Sequence, residues 1–246
     1  MKSSLALALL VDATQSCDRL NYLLDLASSL QQLGHRPHVF ALVVVGAPLS
    51  WLDSTSPVPI YPVVSHPCPF GPDDLIRQRI QEFVDHLEHR PQSYDIYHAQ
   101  DMISASALTL MQGLGFIDQF LYTVHEPDLA NETYLTPEFR TYHHRAVRAA
   151  EYCLCFSDDQ QQFLEDQFSA HTLRLATPPL SRVQRRRRRD ALSQGRTSRP
   201  PSDPRADLHQ VAVEQHLTLY EALSEALHQH SHTYAGSRGS WALHYQ

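Results

Sequence analysis

Lysine is almost missing from this chain: Lys2 alone stands against nineteen arginines in 246 residues. No single site demands such a bias, and no function is drawn from it. Cysteine is sparse as well. Cys17, Cys68, Cys153 and Cys155 are too few and too irregularly spaced for a disulfide framework or a zinc site, which points to a reducing compartment. Apolar runs are short, and none reaches the roughly 20 residues that a membrane span needs. The opening MKSSLALALLVDA is closed by Asp12 with no clear cleavage site, so it reads as a buried first strand rather than a signal peptide. No G-x-S-x-G elbow, Walker loop or H-E-x-x-H helix occurs, which removes the reaction classes built on them. The expected location is cytoplasmic.

What is present is enough to build a core, with 42% hydrophobic residues. The formal charge of -7 is unevenly spread. Residues 1–180 hold 10 basic and 21 acidic side chains, whereas 181–246 hold 10 and 6, so two regions with different rules are joined. Leu5 to Val11 is a continuous apolar run, as in a strand covered on both faces, and Leu20, Leu23, Leu24, Ala27 and Leu30 follow at helical spacing up to Gly34. Val39 to Val45 completes a βαβ unit. The Pro-rich run PVPIYPVV ending at Val64 predicts a short strand near a sheet edge. A helix opening at Pro72 carries Ile76, Ile80, Phe83, Val84 and Leu87 as its buried stripe.

The alternation continues. Strand Tyr94 to His98 precedes a helix from about Ile103 to Gly113, and strand Phe120 to Val124 follows. Thr136 caps a helix running through Ala150, Glu151 to Phe156 is a strand on which Cys153 and Cys155 are adjacent core thiols, Ser157 caps the next helix, and Thr172 to Ala176 is a last short strand. Such spacing predicts an α/β fold, a single Rossmann-like doubly wound parallel sheet over residues 1–178. Residues 179–206 contain an Arg/Pro-rich linker that cannot offset its ordering entropy by burial. Helical periodicity returns over 207–229, with Leu208, Ala212, Leu219, Leu223 and Leu227 roughly on one side, and 230–246 shows no period and reads as a flexible tail.

Two strand signals end in a His beside a carboxylate: YDIYHAQD, ending at Asp101, and FLYTVHE, ending at Glu126. In an open α/β sheet, ligands bind at the carboxyl ends of strands, so both edges face one shared cleft. His98, Asp101, His125, Glu126 and Asp128 are therefore the candidate site residues. Asp101 equally suits the cap of the following helix, and His98 and His125 equally suit local hydrogen bonding. Neither His143 and His144 on a helix nor His228, His230 and His232 shares the face a metal would require, so no metal is expected. Arg185, Arg186, Arg187, Arg188 and Arg189 suit a solvated linker or a weak contact with an anionic membrane surface; without interleaved aromatics, specific nucleic-acid readout has little support.

With these motifs in place, the chain resembles the N-terminal, acceptor-side domain of family four glycosyltransferases of the GT-B type. The likeness is carried by DLASSLQQLGH at 25–35, HAQD at 98–101, TVHEPD at 123–128 and AEYCLCFSDDQQQFL at 150–164. It implies sugar transfer from a nucleotide sugar with retention, the nucleotide sugar being a co-substrate and no other cofactor being needed. By resemblance, His125 sits at the edge facing the donor sugar, and His98, Asp101, Glu126 and Asp128 lie on the acceptor side. Two departures accompany it. The first strand-to-helix turn, DATQSCD, has no Gly, which weakens any phosphate cradle. No second domain bearing the family's E-x7-E pair is visible, although VAVEQHLTLYEAL at 211–223 resembles the family's final crossing helix. The chain thus looks like an enzyme with its donor domain deleted or scrambled, which needs a complementing donor domain and takes a small-molecule or glycan acceptor. The alternative is a non-catalytic glycan or small-molecule binding module, or a truncated pseudoenzyme.

Overall fold

The computed structural model describes residues 4–14, 17–46, 58–90, 93–125, 136–175 and 204–235. The candidate residues Glu126 and Asp128, the five consecutive arginines and nearly all of the Arg/Pro-rich join lie outside them.

Seven strands form one parallel sheet: β1 (Ala6–Asp12), β2 (Arg36–Val44), β3 (Ile60–Ser65), β4 (Ile96–Ala99), β5 (Leu121–Thr123), β6 (Tyr152–Cys155) and β7 (Thr172–Arg174). Their order is β3-β2-β1-β4-β5-β6-β7, and every neighbouring pair runs parallel. The α/β class and all seven strands agree with the periodicity. The chain winds outward from β1 in one direction, then returns to lay β4 on its other side. That reversal is the switch point at which open sheets of this kind form crevices.

Four helices cover one face: α2 (Pro72–Glu88), α3 (Met102–Gly113), α4 (Pro137–Ala149) and α5 (Asp158–Phe168). Phe83, Leu108, Phe139 and Leu164 pack there on Leu10, Phe40, Tyr122, Cys153 and Cys155. Cys153 and Cys155 are buried side by side, and burial pushes their thiols up to about 12 and about 11 respectively, so they serve as packing. Each start signal works as the sequence suggests. Asp101, Thr136 and Ser157 accept hydrogen bonds from the backbone N–H groups of Ser104, Phe139 and Gln160.

The other face is covered by α1 (Cys17–Gln32) and by α6 (Pro204–Ala235), the last helix. Gly34, with φ 92, ends α1 in a left-handed turn that L side chains disfavour. Helix α6 returns from the far end of the chain to lie against α1 and β4. It is longer at both ends than the 207–229 expected, because apolar periodicity marks only the packed part of a helix. Its buried stripe also differs from the leucine count: Ala212, Val213, His216, Tyr220, Leu223 and Ser224 are buried, whereas Leu219 is only partly so. Among them His216 and Tyr220 have polar tips that find partners inside.

Candidate functional site

The site grows from the carboxyl ends of β1, β4 and β5. The β1 and β4 ends are tied by Asp101, whose Oδ1 accepts from the Ser104 N–H at 2.9 Å and whose Oδ2 accepts from the Asp12 N–H at 2.6 Å. One side chain thus caps α3 and clamps the switch point. Asp12 turns its own carboxylate back on the chain, accepting from the Thr14 N–H at 2.8 Å and pairing with Arg79 of α2 at 3.3 Å. Burial, and next the Asp12 charge, push the Asp101 carboxyl up to about 7, while Arg19 in the first turn of α1 and the two N–H donors pull it down. The result is a buried carboxylate pair with cations from two helices.

Beside this pair lies a cluster of imidazoles and amides. His98 points into the face shared by α1 and α6, in register with Leu9 and Leu121, and is wholly buried. Its Nδ1 lies 2.6 Å from Tyr220 Oη, and its Nε2 lies 2.6 Å from Thr123 Oγ1 and 3.0 Å from Gln100 Nε2. The other end of the Gln100 amide, Oε1, lies 3.3 Å from His125 Nε2. The His125 ring, partly buried, is flanked by Phe156 and Tyr22 with ring centroids 5.5 and 6.1 Å away. Gln160 of α5 secures the surrounding backbone: its amide donates to the Val124 carbonyl at 2.6 Å and its Oε1 accepts from the Phe156 N–H at 3.0 Å.

All the imidazoles here are neutral at physiological pH. Burial holds His98 well below its ordinary value, with His216 and His125 adding to the effect; burial and then Arg19 bring His125 down to about 3. Helix α6 adds His216, brought down to about 4 by burial, whose Nδ1 donates to the Ala212 carbonyl at 2.7 Å and whose Nε2 lies 3.4 Å from Tyr22 Oη. A neutral ring offers one donor and one acceptor, which suits recognition of hydroxyl groups.

The structure therefore brings His98, Asp101 and His125 together at one edge, at different depths. Asp101 takes the capping position. His98 lies beneath the edge with both nitrogens engaged, and Gln100 links it to His125. His125 is the least buried of the three. Periodicity passed over Arg19, Tyr22, Arg79, Gln160, His216 and Tyr220. Gln100 stood inside HAQD, and its place between two histidine-bearing strand ends was the signal available. A separate groove of about 590 Å³ between β3 and α2 is lined by Val63, His66, Glu82, His86 and Arg90. There Glu82 Oε1 accepts from the His66 N–H and from the amide of Gln78 one turn earlier on α2, and no reactive set converges. Among the described residues no group of three His, Cys, Asp or Glu is arranged to hold a metal, and no helix is long and apolar enough to cross a membrane.

The model of Glycosyltransferase Family 4 matches residues 21–178, more than half of the chain. A two-segment portion of sucrose-phosphate synthase from Thermosynechococcus elongatus superposes with a TM-score of 0.51 at 16% identity, covering 76% of this chain and 98% of that portion. The longer form of the same synthase gives a TM-score of 0.55 at 17% identity, over 70% of this chain and 48% of the synthase. At those identities the likeness shows the fold, and this chain spans about half of the longer synthase chain. No curated protein matches the sequence significantly.

Proposed function

The chain belongs to glycosyltransferase family 4, and from that premise we propose that it supplies the acceptor-side half of a sugar-transfer site. In this reading a nucleotide sugar is the co-substrate, a small-molecule or glycan hydroxyl is the acceptor, and the anomeric configuration is retained. The observation that carries it is the place of His125: a neutral imidazole at the carboxyl edge of the sheet, beside the switch point, oriented by Gln100 and walled by Tyr22 and Phe156.

Retaining transfer breaks the bond between the anomeric carbon and the nucleotide's phosphate, develops positive charge on the sugar and forms a bond to the acceptor oxygen. A neutral His125 suits that moment better than a cation, since it hydrogen-bonds a sugar hydroxyl without adding charge to an already cationic centre. Glu126 and Asp128, next along the chain, are assigned to the acceptor's hydroxyls. His98 and Asp101 are assigned to the support beneath: His98 orients Gln100, and Asp101 holds the ends of β1 and β4 in register. The donor lobe lies outside the described residues, in a longer protein or on a partner chain.

Titration calorimetry of the full chain with several nucleotide sugars, alone and with a complementing donor lobe, tests the proposal. Heat followed by transfer is the expected result. No heat with any donor in either condition would leave a non-catalytic binding module. In the complemented system His125→Ala abolishes transfer while the circular dichroism spectrum is unchanged; retained turnover would reject the role given to His125.

A further inference from the structure

We infer that the tautomer of His125 is set through a hydrogen-bond relay that ends on helix α6, with Gln100, His98 and Tyr220 as its positioning residues. Its value to sugar transfer rests on the function proposed above; its geometry does not.

The relay follows from what an amide can do. A glutamine carbonyl only accepts and its NH2 group only donates. The Gln100 carbonyl faces His125 Nε2 at 3.3 Å, so that nitrogen carries the proton. Its NH2 group faces His98 Nε2 at 3.0 Å, so that nitrogen carries the lone pair, which the Thr123 hydroxyl also approaches at 2.6 Å. The His98 proton is then on Nδ1 and is donated to Tyr220 Oη at 2.6 Å. The Tyr220 and Thr123 hydroxyls can each give or take a proton, so the Gln100 amide sets the sense of the relay, and reversing that sense turns the amide over. Burial holds His98 and His125 neutral, the state in which each ring has one donor and one acceptor.

The relay spans elements far apart in sequence, since Tyr220 and His98 are 122 residues apart, His98 lies on β4 and His125 just past the end of β5. The Gln100 backbone is pinned by its N–H donating to the Leu10 carbonyl at 2.9 Å, so the amide turns only about its own side-chain bonds. With the His125 proton committed to Gln100, Nδ1 is the ring's accepting nitrogen. A ligand hydroxyl meeting that nitrogen must donate. The site thus selects for a sugar hydroxyl in the donor role and against an ether or carbonyl at the same place.

The test is long-range proton–nitrogen NMR of the imidazoles in the full chain without nucleotide sugar. The expected spectrum shows His125 protonated on Nε2 and His98 on Nδ1. In Tyr220→Phe the acceptor for His98 is gone, and both rings move to tautomer mixtures; in Gln100→Leu, which removes both amide contacts, both rings do so as well. Tyr22→Phe, which removes another polar contact of α6, leaves both rings as they were, whereas a general loosening of the helix would disturb them there too. A His125 proton on Nδ1 in the unaltered chain, or a His125 spectrum unchanged by Gln100→Leu, overturns the inference even if Tyr220→Phe does not fold. These readings need no substrate, so a failed calorimetry experiment sinks the proposed transfer and not the relay.

Discussion

Acid should loosen this protein at α6, and His216 provides the measure. The ring is fully buried between Tyr22, His98 and Tyr220, and burial brings it from the ordinary 6.5 down to about 4. Because the folded value lies below the unfolded one, the unfolded chain takes up a proton that the native ring refuses. The stability this ring contributes is therefore intact above about pH 6.5 and is progressively lost down to about pH 4. At about 1.4 kcal/mol per pKa unit, moving from about pH 7 to about pH 5 costs about 2 kcal/mol through His216 alone. Asp101 acts in the opposite sense, since a carboxyl raised to about 7 favours the folded state as the pH falls. A comparison with His216→Gln cancels that term, because Asp101 is present in both proteins. Urea denaturation at the two pH values should show the substituted protein losing about 2 kcal/mol less than the parent. Equal losses in the two proteins would refute the burial argument.

Three further outcomes are expected. Arg79→Met leaves Asp12 without that cation beside Asp101, costing about 3 kcal/mol near neutral pH by urea denaturation, with the deficit shrinking as acid neutralises Asp101. Thr136→Ala removes a hydroxyl that accepts from the Phe139 N–H at 3.1 Å and donates to Asp73 at 2.6 Å, lowering stability by about 1 kcal/mol in the same assay. Cys153 and Cys155 resist a thiol-exchange reagent at about pH 8 in the folded protein and react once urea unfolds it, because burial keeps both thiols protonated.

Local pattern served well wherever the cause of structure is local. The seven strands, the helix starts at Asp101, Thr136 and Ser157 and the stop at Gly34 follow from side-chain alternation, capping chemistry and a turn that tolerates positive φ. The site was only half legible. His98, Asp101 and His125 sit at strand ends, where the parallel topology makes position meaningful. Their partners do not: Tyr220 meets His98 across 122 residues, His216 meets Tyr22 across 194, and Arg79 reaches Asp12 across 67. No period encodes such pairs. Counting leucines found Ala212 and Leu223 of the α6 stripe but passed over His216 and Tyr220, because a buried Tyr or His does the work of an apolar residue once its polar tip is satisfied.

Helix α6 also bears on how the molecule is made. One face of the sheet takes part of its cover from residues 204–235, so a ribosome that has released only the first six strands presents Ile96, His98 and Leu121 bare on that side. Closure awaits the synthesis of α6, and until then the nascent chain offers an apolar surface of the kind chaperones hold.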